Sequence, residues 1–423
     1  MIVNRRYHVE IGSDRRPGHV MAAIEAVFED QPLRWFISQA EPWRLTVEST
    51  EYRGALEPAL PEPEPVPAGG PAVVVSIIPT GIGCEIGGFA GDAAPATTLL
   101  SRAADYVVTN PNAVNASDFV VTDERILYTE GRCIDLFTAG AVNLYRARGN
   151  RIGVIIDAAD GKAVDHVFNL VNAARAIHGV DIVGCVVTDE PVGTRCARTP
   201  SGAYVGEVAH PERLLAAAQQ LVDAGADALA VTTNIGGLDA IDYADHFRGD
   251  HPNPVGGAEA IISHLLVNRF HLPVAHAPMV NFKCATGVVD ARAAGEHVSP
   301  SGLACVLIGL RDAPQIRRRP GRARGPAIGI DNVVALVAPA GALGGVPVLS
   351  ALQRGIPVIG VRENACLFDV SAQRLGLTGI IEVGNYVEAA GTILALRSGI
   401  SLASLRRPLQ ALRPLQRAAD VAA

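Results

Sequence analysis

A glycine-rich stretch, PTGIGCEIGGFAGDAAP (residues 79–95), follows directly on the apolar run AVVVSII. Its GxGxxxG spacing is related to the dinucleotide-binding pattern, and glycines at a strand end can expose backbone N–H groups to an anion. We therefore expect this opening loop to line a binding site. The residues expected to contact the ligand are Thr80, Gly81, Gly83, Gly87, Gly88 and Asp92.

Three interpretations of the opening loop stay open. A classical dinucleotide site is disfavoured because the helix signal begins only at Asp92 and Pro95, and because the next strand ends in Asn110 instead of an acidic residue. A loop for another anion or metabolite is favoured over it. A turn that only needs glycine for positive φ is the third interpretation.

A second glycine-rich loop, PAGALGG (residues 339–345), separates the apolar run VVALVAP from the helical segment VPVLSALQRG. Pro347 suits the first turn of that helix and Gly355 its C-terminal cap. The helix N-terminus favours an anion, although a turn that requires glycine is again the alternative. The expected ligand contacts here and at the following strand end are Gly341, Gly344, Gly345, Glu363 and Asn364.

Small polar residues follow several other apolar runs, in TNPNAVNASD, TDEPVGTRC, TTNIGG and HAPMVNFKC. Amides and hydroxyls at strand ends can bind a polar substrate, although Asx turns explain the asparagines equally well. The expected substrate contacts are Asn110, Asn112, Asn115, Thr233 and Asn234.

Proton transfer requires a titratable side chain in one of these loops. Asp189 and His276 are the candidates for acid–base catalysis, and Lys283 is the candidate for neutralising a carboxylate or phosphate. A helix cap for Asp189 and a structural hydrogen bond for His276 are the alternatives. Cys84 becomes a nucleophile if N–H groups lower its pKa, but a small buried hydrophobe is favoured.

No metal or cofactor is assigned. The segment DAIDYADHFRGDHP (residues 239–252) concentrates acidic and histidine residues without an established metal spacing, which favours a charged surface loop. The basic run RRRPGRARG (residues 317–325) lacks stacking aromatic residues. Together with a net charge of −7, this disfavours nucleic acid as a partner and favours a small-molecule substrate.

From residue 71 onward, apolar runs alternate with helical segments, which predicts parallel strands covered by helices on both faces. We predict a doubly wound α/β fold with one or more mostly parallel sheets, and a ligand site at the carboxyl ends of the strands. The expected strands are AVVVSII, DYVVT, RIGVIID, DIVGCVVT, ADALAVTT, LPVAHA, VVALVAP, IPVIGV and GIIEV.

The chain divides by composition. Residues 1–55 predict a small α+β unit, with strand patterns in YHVEIG, RWFISQ and RLTVEST and a helix in HVMAAIEAVFED. Residues 56–70 are a proline-rich linker. Residues 71–405 form the α/β domain, with a division into two lobes near 240–255, and residues 406–423 form a C-terminal helix or tail.

The composition predicts a compact protein of the cytoplasm. Hydrophobic residues make up 49% of the 423-residue chain, and the first residues lack the apolar core of a secretory signal. The uncharged stretch Val333–Leu352 contains glycines and prolines that argue against a membrane span. Seven scattered cysteines without a CxxC pair argue against a disulfide framework. A homo-oligomer stays open.

Several of these motifs together resemble an uncharacterised domain-of-unknown-function family of bacteria and plants. The likeness rests on IPTGIGCEIGGFAGDAAP, TNPNAVNASD, NPVGGAEAIISH, HAPM and VAPAGALGGVPVLSALQRGIPVIGVREN. It implies an α/β, enzyme-like protein and brings no known activity or catalytic residue.

The expected function is that of a small-molecule enzyme. Its substrate is a polar anionic metabolite, a carboxylate or phosphate, and its chemistry is acid–base catalysis of the hydrolase, lyase or isomerase/cyclase type. A nucleotide- or dinucleotide-dependent enzyme and a non-catalytic metabolite-binding protein are the alternatives.

Overall fold

A computed structural model describes residues 1–56, 60, 62–67, 69–116, 119–237, 240–279, 287–298, 301–318 and 325–412. The strands are β1 Ile2–Glu10, β2 Gln31–Ala40, β3 Arg44–Tyr52, β4 Val73–Ser76, β5 Tyr106–Thr109, β6 Asn115–Ala116, β7 Phe119–Val120, β8 Ile126–Tyr128, β9 Ile152–Ile156, β10 Ile182–Val187, β11 Thr194–Arg198, β12 Tyr204–Val208, β13 Ala228–Thr233, β14 Ile235–Gly236, β15 Val274–Pro278, β16 Val333–Pro339, β17 Val358–Val361 and β18 Ile380–Val383. The helices are α1 Pro17–Glu25, α2 Ala94–Ala103, α3 Gly131–Thr138, α4 Gly161–His178, α5 Pro211–Asp223, α6 Ala240–Arg248, α7 Gly256–Phe270, α8 Ala294–Val298, α9 Leu303–Arg311, α10 Val346–Gln353, α11 Ala372–Leu375, α12 Tyr386–Arg397 and α13 Leu402–Leu405.

A six-stranded parallel sheet has the order β18-β17-β16-β4-β5-β8. The chain runs outward from β4 in one direction and from β16 in the other, so the strand order reverses between these two central strands. In open α/β sheets a ligand site lies outside the carboxyl ends of the strands at such a switch point.

Helices cover both faces of this sheet because its central strands are apolar throughout. All four residues of β4 are buried. Val74 packs in the core cluster that contains Leu100 of α2 and Ile393 of α12. Val73 and Val75 point to the opposite face, into the core cluster that contains helix α10.

A four-stranded parallel sheet has the order β10-β9-β13-β15 and lies within residues 152–278. The antiparallel pair β11–β12 lies between β10 and β13 in the chain, with β14 beside β11. Neither this pair nor strand β8 was predicted from the sequence. Every strand that the sequence predicted after residue 71 is present in one of the two parallel sheets. The doubly wound α/β fold is therefore confirmed.

The N-terminal unit is an antiparallel sheet of order β1-β3-β2 with helix α1. It packs on the α/β domain: α1 contacts α10, β2 contacts α7, and Ile37 N–H donates to the Gly344 carbonyl at 3.0 Å. This unit therefore forms one wall of the space between itself and the two parallel sheets.

The chain crosses between the parallel sheets after β8 and returns before β16. Residues 240–255, near which we expected a division into lobes, instead lie between β13 and β15 of one sheet. The described part of 406–423, residues 406–412, contains neither helix nor strand. Among the described helices, none has the length and apolar character needed to cross a membrane.

Candidate functional site

A cavity of about 200 Å³ lies at the switch point of the six-stranded sheet. The segment after β4, the end of β5, the start of α3 and the loop after β16 form its floor, while α7 and β15 form one side and β2 covers it. Its charged or titratable lining residues are Arg34, Glu130, Asp135, Glu259, His264 and His276. Most of the remaining wall is isoleucine, valine, phenylalanine and alanine.

A larger cavity of about 700 Å³ lies beside β7 and β8. Four of its charged side chains pair with one another, since Arg148 pairs with Glu124 and Arg311 pairs with Asp312. The cavity at the switch point differs because buried polar atoms in its wall have no partner. We therefore take the switch-point cavity as the candidate site.

Arg34 of β2 is the cation of this cavity. Its Nη2 donates to the Thr80 carbonyl at 3.0 Å, and its guanidinium lies 5.0 Å from the centre of the Phe36 ring. Nη1 is buried and has no hydrogen-bond partner among the described residues. Burial lowers the pKa of Arg34 to about 10, so it stays cationic at neutral pH.

Asn110, at the carboxyl end of β5, carries an unpaired acceptor where Arg34 carries an unpaired donor. Its Nδ2 donates to the Ile78 carbonyl at 3.2 Å, which fixes the orientation of the amide. The other atom of the amide, Oδ1, is buried and accepts no hydrogen bond from the described residues. The cavity wall thus holds an unpaired donor on Arg34 and an unpaired acceptor on Asn110, besides Nδ1 of His264.

Glu259 and His276 form a hydrogen-bonded pair in the wall. The Glu259 Oε1 lies 3.4 Å from Nδ1 of His276, and Nε2 of His276 lies 2.9 Å from the Thr233 hydroxyl. Both nitrogens of the fully buried histidine are therefore engaged. Glu259 also lines a neighbouring cavity of about 60 Å³, so this residue lies between the two cavities.

A second carboxylate–histidine pair lies across the cavity at the start of α3. Oε2 of Glu130 caps the helix by accepting from Arg132 N–H at 2.7 Å and Cys133 N–H at 3.2 Å. Its Oε1 lies 2.6 Å from His264 Nδ1, as a close contact without hydrogen-bond alignment. One turn further on, burial raises the pKa of Asp135 to about 6.

The opening loop is packed with protein atoms. A Cβ on Gly81 would lie 2.5 Å from the Tyr204 carbonyl oxygen, and one on Gly88 would lie 2.1 Å from that of Cys84. Gly81, Gly83 and Gly87 have positive φ. The free space among these glycines is only about 10 Å³. For the glycines, the geometry favours the turn over an anion cradle, while Thr80 lines the candidate site.

Asp92 explains why the opening loop needs no external anion. Its Oδ1 accepts a hydrogen bond from Gly87 N–H at 2.8 Å. Chiefly because of burial, the pKa of Asp92 is raised to about 7. The loop therefore carries its own carboxyl group at the position where a bound anion was expected.

The second glycine loop does reach the cavity. Gly344 and Gly345 line it, and a Cβ on Gly345 would meet only Pro347 Cδ at 3.7 Å. A Cβ on Gly341 would instead lie 2.6 Å from the Phe368 carbonyl oxygen, and one on Gly344 would lie 2.6 Å from Ile37 Cβ. One loop thus contributes two packing glycines and one glycine, Gly345, that borders open space.

The following strand end does not contribute. Glu363 is exposed and lines none of the described cavities. Asn364 is fully buried and fully paired, because its Nδ2 donates to the Ile86 carbonyl and the Tyr386 hydroxyl while its Oδ1 accepts from Ile86 N–H. Its role is to hold the opening loop in place.

Asp189 lies apart from the site. It is exposed in the turn after β10, which lies at the edge of the four-stranded sheet opposite to β15, the strand that lines the cavity. Lys283 and the side chain of Asn112 lie outside the described residues. Asn234 is exposed, and Asn115 accepts from Val121 N–H at 3.1 Å.

Cys84 is not an activated thiol. It is buried, and a hydrogen bond with Cys366 together with burial raises its pKa well above the ordinary value. A raised pKa leaves the thiol protonated at neutral pH. The interpretation of Cys84 as a buried, packed residue is the one that the structure supports.

Five of the six charged or titratable groups in the cavity were not predicted from the sequence. One of them, Glu130, had a usable signal, since it follows the short apolar run ILYT at a strand end. Glu259 and His264 lie inside a helix that is buried on nearly all sides. Arg34 alternates with Leu33 and Trp35 in a strand of another unit. In the described part of the chain, no cluster of His, Cys, Asp or Glu is arranged for a metal ion.

Fold and cavity define a doubly wound α/β protein with a small, mostly apolar pocket at the switch point of its larger sheet. The chain belongs to the family described as protein of unknown function DUF3326, which matches residues 73–406. The N-terminal unit that supplies Arg34 precedes the matched region. The family expected from the sequence motifs is thereby confirmed.

A relative and a solved structure are similar to this chain. An uncharacterized lipoprotein of Synechococcus sp. (strain ATCC 27144 / PCC 6301 / SAUG 1402/1) is 35% identical over 334 residues, covering 78% of this chain and 92% of the relative. The nicotinate-nucleotide–dimethylbenzimidazole phosphoribosyltransferase of Thermus thermophilus aligns at 15% identity over 60% of this chain and 81% of its own, with a TM-score of 0.15. No conclusion follows from a score that low.

Proposed function

We propose that this protein is a small-molecule enzyme that binds an anionic metabolite at the switch-point cavity and acts on it by proton transfer. The observation that carries the proposal is the buried, unpaired Nη1 of Arg34. A buried N–H without a partner is costly, and a bound anion would satisfy it with a charge-assisted hydrogen bond.

Glu259 is the proposed proton-transfer group. Its carboxylate lines the cavity, whereas His276 has both nitrogens engaged and positions Glu259 instead of reacting. Asp135, with a pKa of about 6, retains a minor protonated fraction at neutral pH and is the proposed acid. These assignments replace Asp189 with groups that line one cavity, and Lys283, outside the described residues, stays a prediction.

The test is a survey of small carboxylate and phosphate metabolites incubated with the protein in D2O. Mass spectrometry would record both deuterium incorporation and any change of mass. We expect at least one compound to react, and Glu259→Gln to slow that reaction at least about 100-fold. The matched control is Asp189→Asn, a carboxylate that lines none of the described cavities and should leave the rate unchanged.

Two results would contradict the proposal. One is that no compound reacts with the native protein. The other is that a folded Glu259→Gln protein reacts as fast as the native one, in which case the chemistry belongs elsewhere.

We also propose that the protein works in the cytoplasm, on the composition of its sequence. The name of the Synechococcus relative, a lipoprotein, suggests membrane attachment as the alternative. Fractionation of cells that express the native gene distinguishes the two, because recovery in the membrane fraction after a high-salt wash contradicts the proposal.

A further inference from the structure

The unpaired atoms of the cavity wall indicate which other groups an anionic ligand must carry. Arg34 and Asn110 are held by the same short segment, since Arg34 donates to the carbonyl of Thr80 and Asn110 to that of Ile78. Carbonyls two residues apart are separated by at most about 7 Å. Both side chains also line the same cavity of about 200 Å³, so one small ligand that fills it lies beside Arg34 and Asn110.

Each unpaired atom demands a different group. Nη1 of Arg34 requires an acceptor, and a carboxylate oxygen matches a guanidinium best. Oδ1 of Asn110 requires a donor, which a carboxylate lacks. A ligand that satisfies both carries a hydroxyl or ammonium group close to its carboxylate.

The rest of the cavity restricts the body of the ligand. Ile77, Ile82, Ile134, Val348 and Phe368 line it, and none of them can pair with a second anionic group. A dry cavity of about 150 Å³ accommodates benzene. The present cavity, about 200 Å³, therefore suits an acid with a compact apolar chain better than a sugar phosphate or a nucleotide.

We propose that the site takes a 2-hydroxy or 2-amino carboxylic acid with a short apolar side chain. This inference rests on the proposed function and names its substrate class. The carboxylate binds Arg34, the 2-substituent donates to Asn110, and the side chain occupies the apolar wall. Asp135 and Glu259 also face the cavity, so an ammonium group has favourable charges nearby.

Calorimetric titration with four matched compounds tests this assignment. These are 2-hydroxy-4-methylpentanoate, leucine, 4-methylpentanoate, which lacks the donor, and leucinol, which lacks the carboxylate. We expect the hydroxy acid or leucine to bind at least about tenfold more tightly than either compound that lacks a group, because each omission leaves a buried atom unpaired. The tighter of the first two identifies the 2-substituent.

Variants assign each group to its partner. Arg34→Gln should remove the preference for the carboxylate over leucinol, and Asn110→Leu should remove the preference over 4-methylpentanoate. Asn364→Leu is a poor control because it releases the opening loop, so Asp189→Asn serves instead. Thermal unfolding of each variant without ligand checks that it folds.

The outcomes separate this inference from the proposed function. If 4-methylpentanoate binds as tightly as the hydroxy acid and leucine, and Arg34→Gln weakens it, the anion site stands and the 2-substituent is wrong. If phosphoglycolate, as a phosphate probe, binds more tightly than all four compounds, the substrate class is wrong. If no compound binds in an Arg34-dependent way, the substrate class is overturned, and the D2O survey decides the proposed function separately.

Discussion

The two glycine-rich loops give the same signal in the sequence and have different surroundings in the fold. In the opening loop, a Cβ on Gly81 would lie 2.5 Å from a backbone oxygen. In the loop after β16, a Cβ on Gly345 would meet nothing closer than 3.7 Å. The first loop is glycine-rich because protein atoms pack against it, whereas Gly345 of the second borders the candidate site.

The difference shows what a glycine pattern by itself can establish. Glycine is required where φ is positive or where the backbone of another segment approaches closely, and either reason suffices without a ligand. The opening loop has both reasons and supplies its own carboxyl group through Asp92. A ligand-binding loop is recognised by the space left beside its glycines, which depends on segments far away in the chain.

The largest effect that we predict comes from Gly81→Ala. Its φ of 78° is unfavourable for alanine, and the new Cβ would meet the Tyr204 carbonyl, which is backbone and cannot rotate away. Positive φ costs about 1–2 kcal/mol and overpacking a further 1–3, so we expect a loss of about 3 kcal/mol in the free energy of unfolding. Urea denaturation measures it.

Gly345→Ala is the matched control for that experiment. Its φ of −108° lies in the extended region, and the methyl group would enter open space. We expect a change below about 1 kcal/mol. If both variants lost the same free energy of unfolding, the two loops would not differ in how tightly protein atoms pack against their glycines.

The architecture could be predicted because its signal is local. Apolar runs such as AVVVSII identify buried parallel strands directly, since each strand is covered on both faces and needs no polar alternation. Strand β8 has only three residues, β11 alternates with arginine, and β12 is interrupted by Gly206 and Glu207, so none of them produced such a run. These elements depend on pairing that a short window does not contain.

The site could be predicted only in part because its groups come from distant segments. Asn110 and His276 follow the strand-end rule and do line the cavity. Arg34 reaches it from the N-terminal unit, and its importance follows from one unpaired nitrogen that no residue pattern encodes. Asp189 obeys the same rule and lies outside because β10 is at the edge of its sheet opposite to β15, the strand that borders the cavity. The rule locates strand ends without telling which of them face each other.

A smaller effect is predicted for the carboxyl group that closes the opening loop. Burial is the main cause that raises the pKa of Asp92 from 3.8 to about 7 in the folded state. The folded state therefore binds this proton more tightly than the unfolded state does. The stabilisation is therefore present below about pH 4 and is lost as the pH rises towards 7. Asp92→Asn keeps an acceptor for Gly87 N–H and removes the charge.

We expect Asp92→Asn to be more stable than the native protein at pH 8 by about 2 kcal/mol, a value reduced for partial solvent exposure. The difference should shrink towards zero near pH 4. Urea denaturation at both pH values measures it, with the exposed Asp189→Asn as control. A difference that does not change with pH would mean that folding does not raise the pKa of Asp92.

The smallest effect is predicted for Gly345→Val, and it concerns binding. The extended φ and ψ of this residue suit valine, so the free energy of unfolding should change by no more than about 1 kcal/mol. The isopropyl group would occupy part of the cavity of about 200 Å³. We expect the affinity for 2-hydroxy-4-methylpentanoate to fall about tenfold, equivalent to about 1.4 kcal/mol. Calorimetric titration measures it beside Gly345→Ala, whose methyl group should have a smaller effect. Unchanged affinity in a folded Gly345→Val protein would separate the second loop from the site, and neither glycine-rich loop would then bind the ligand.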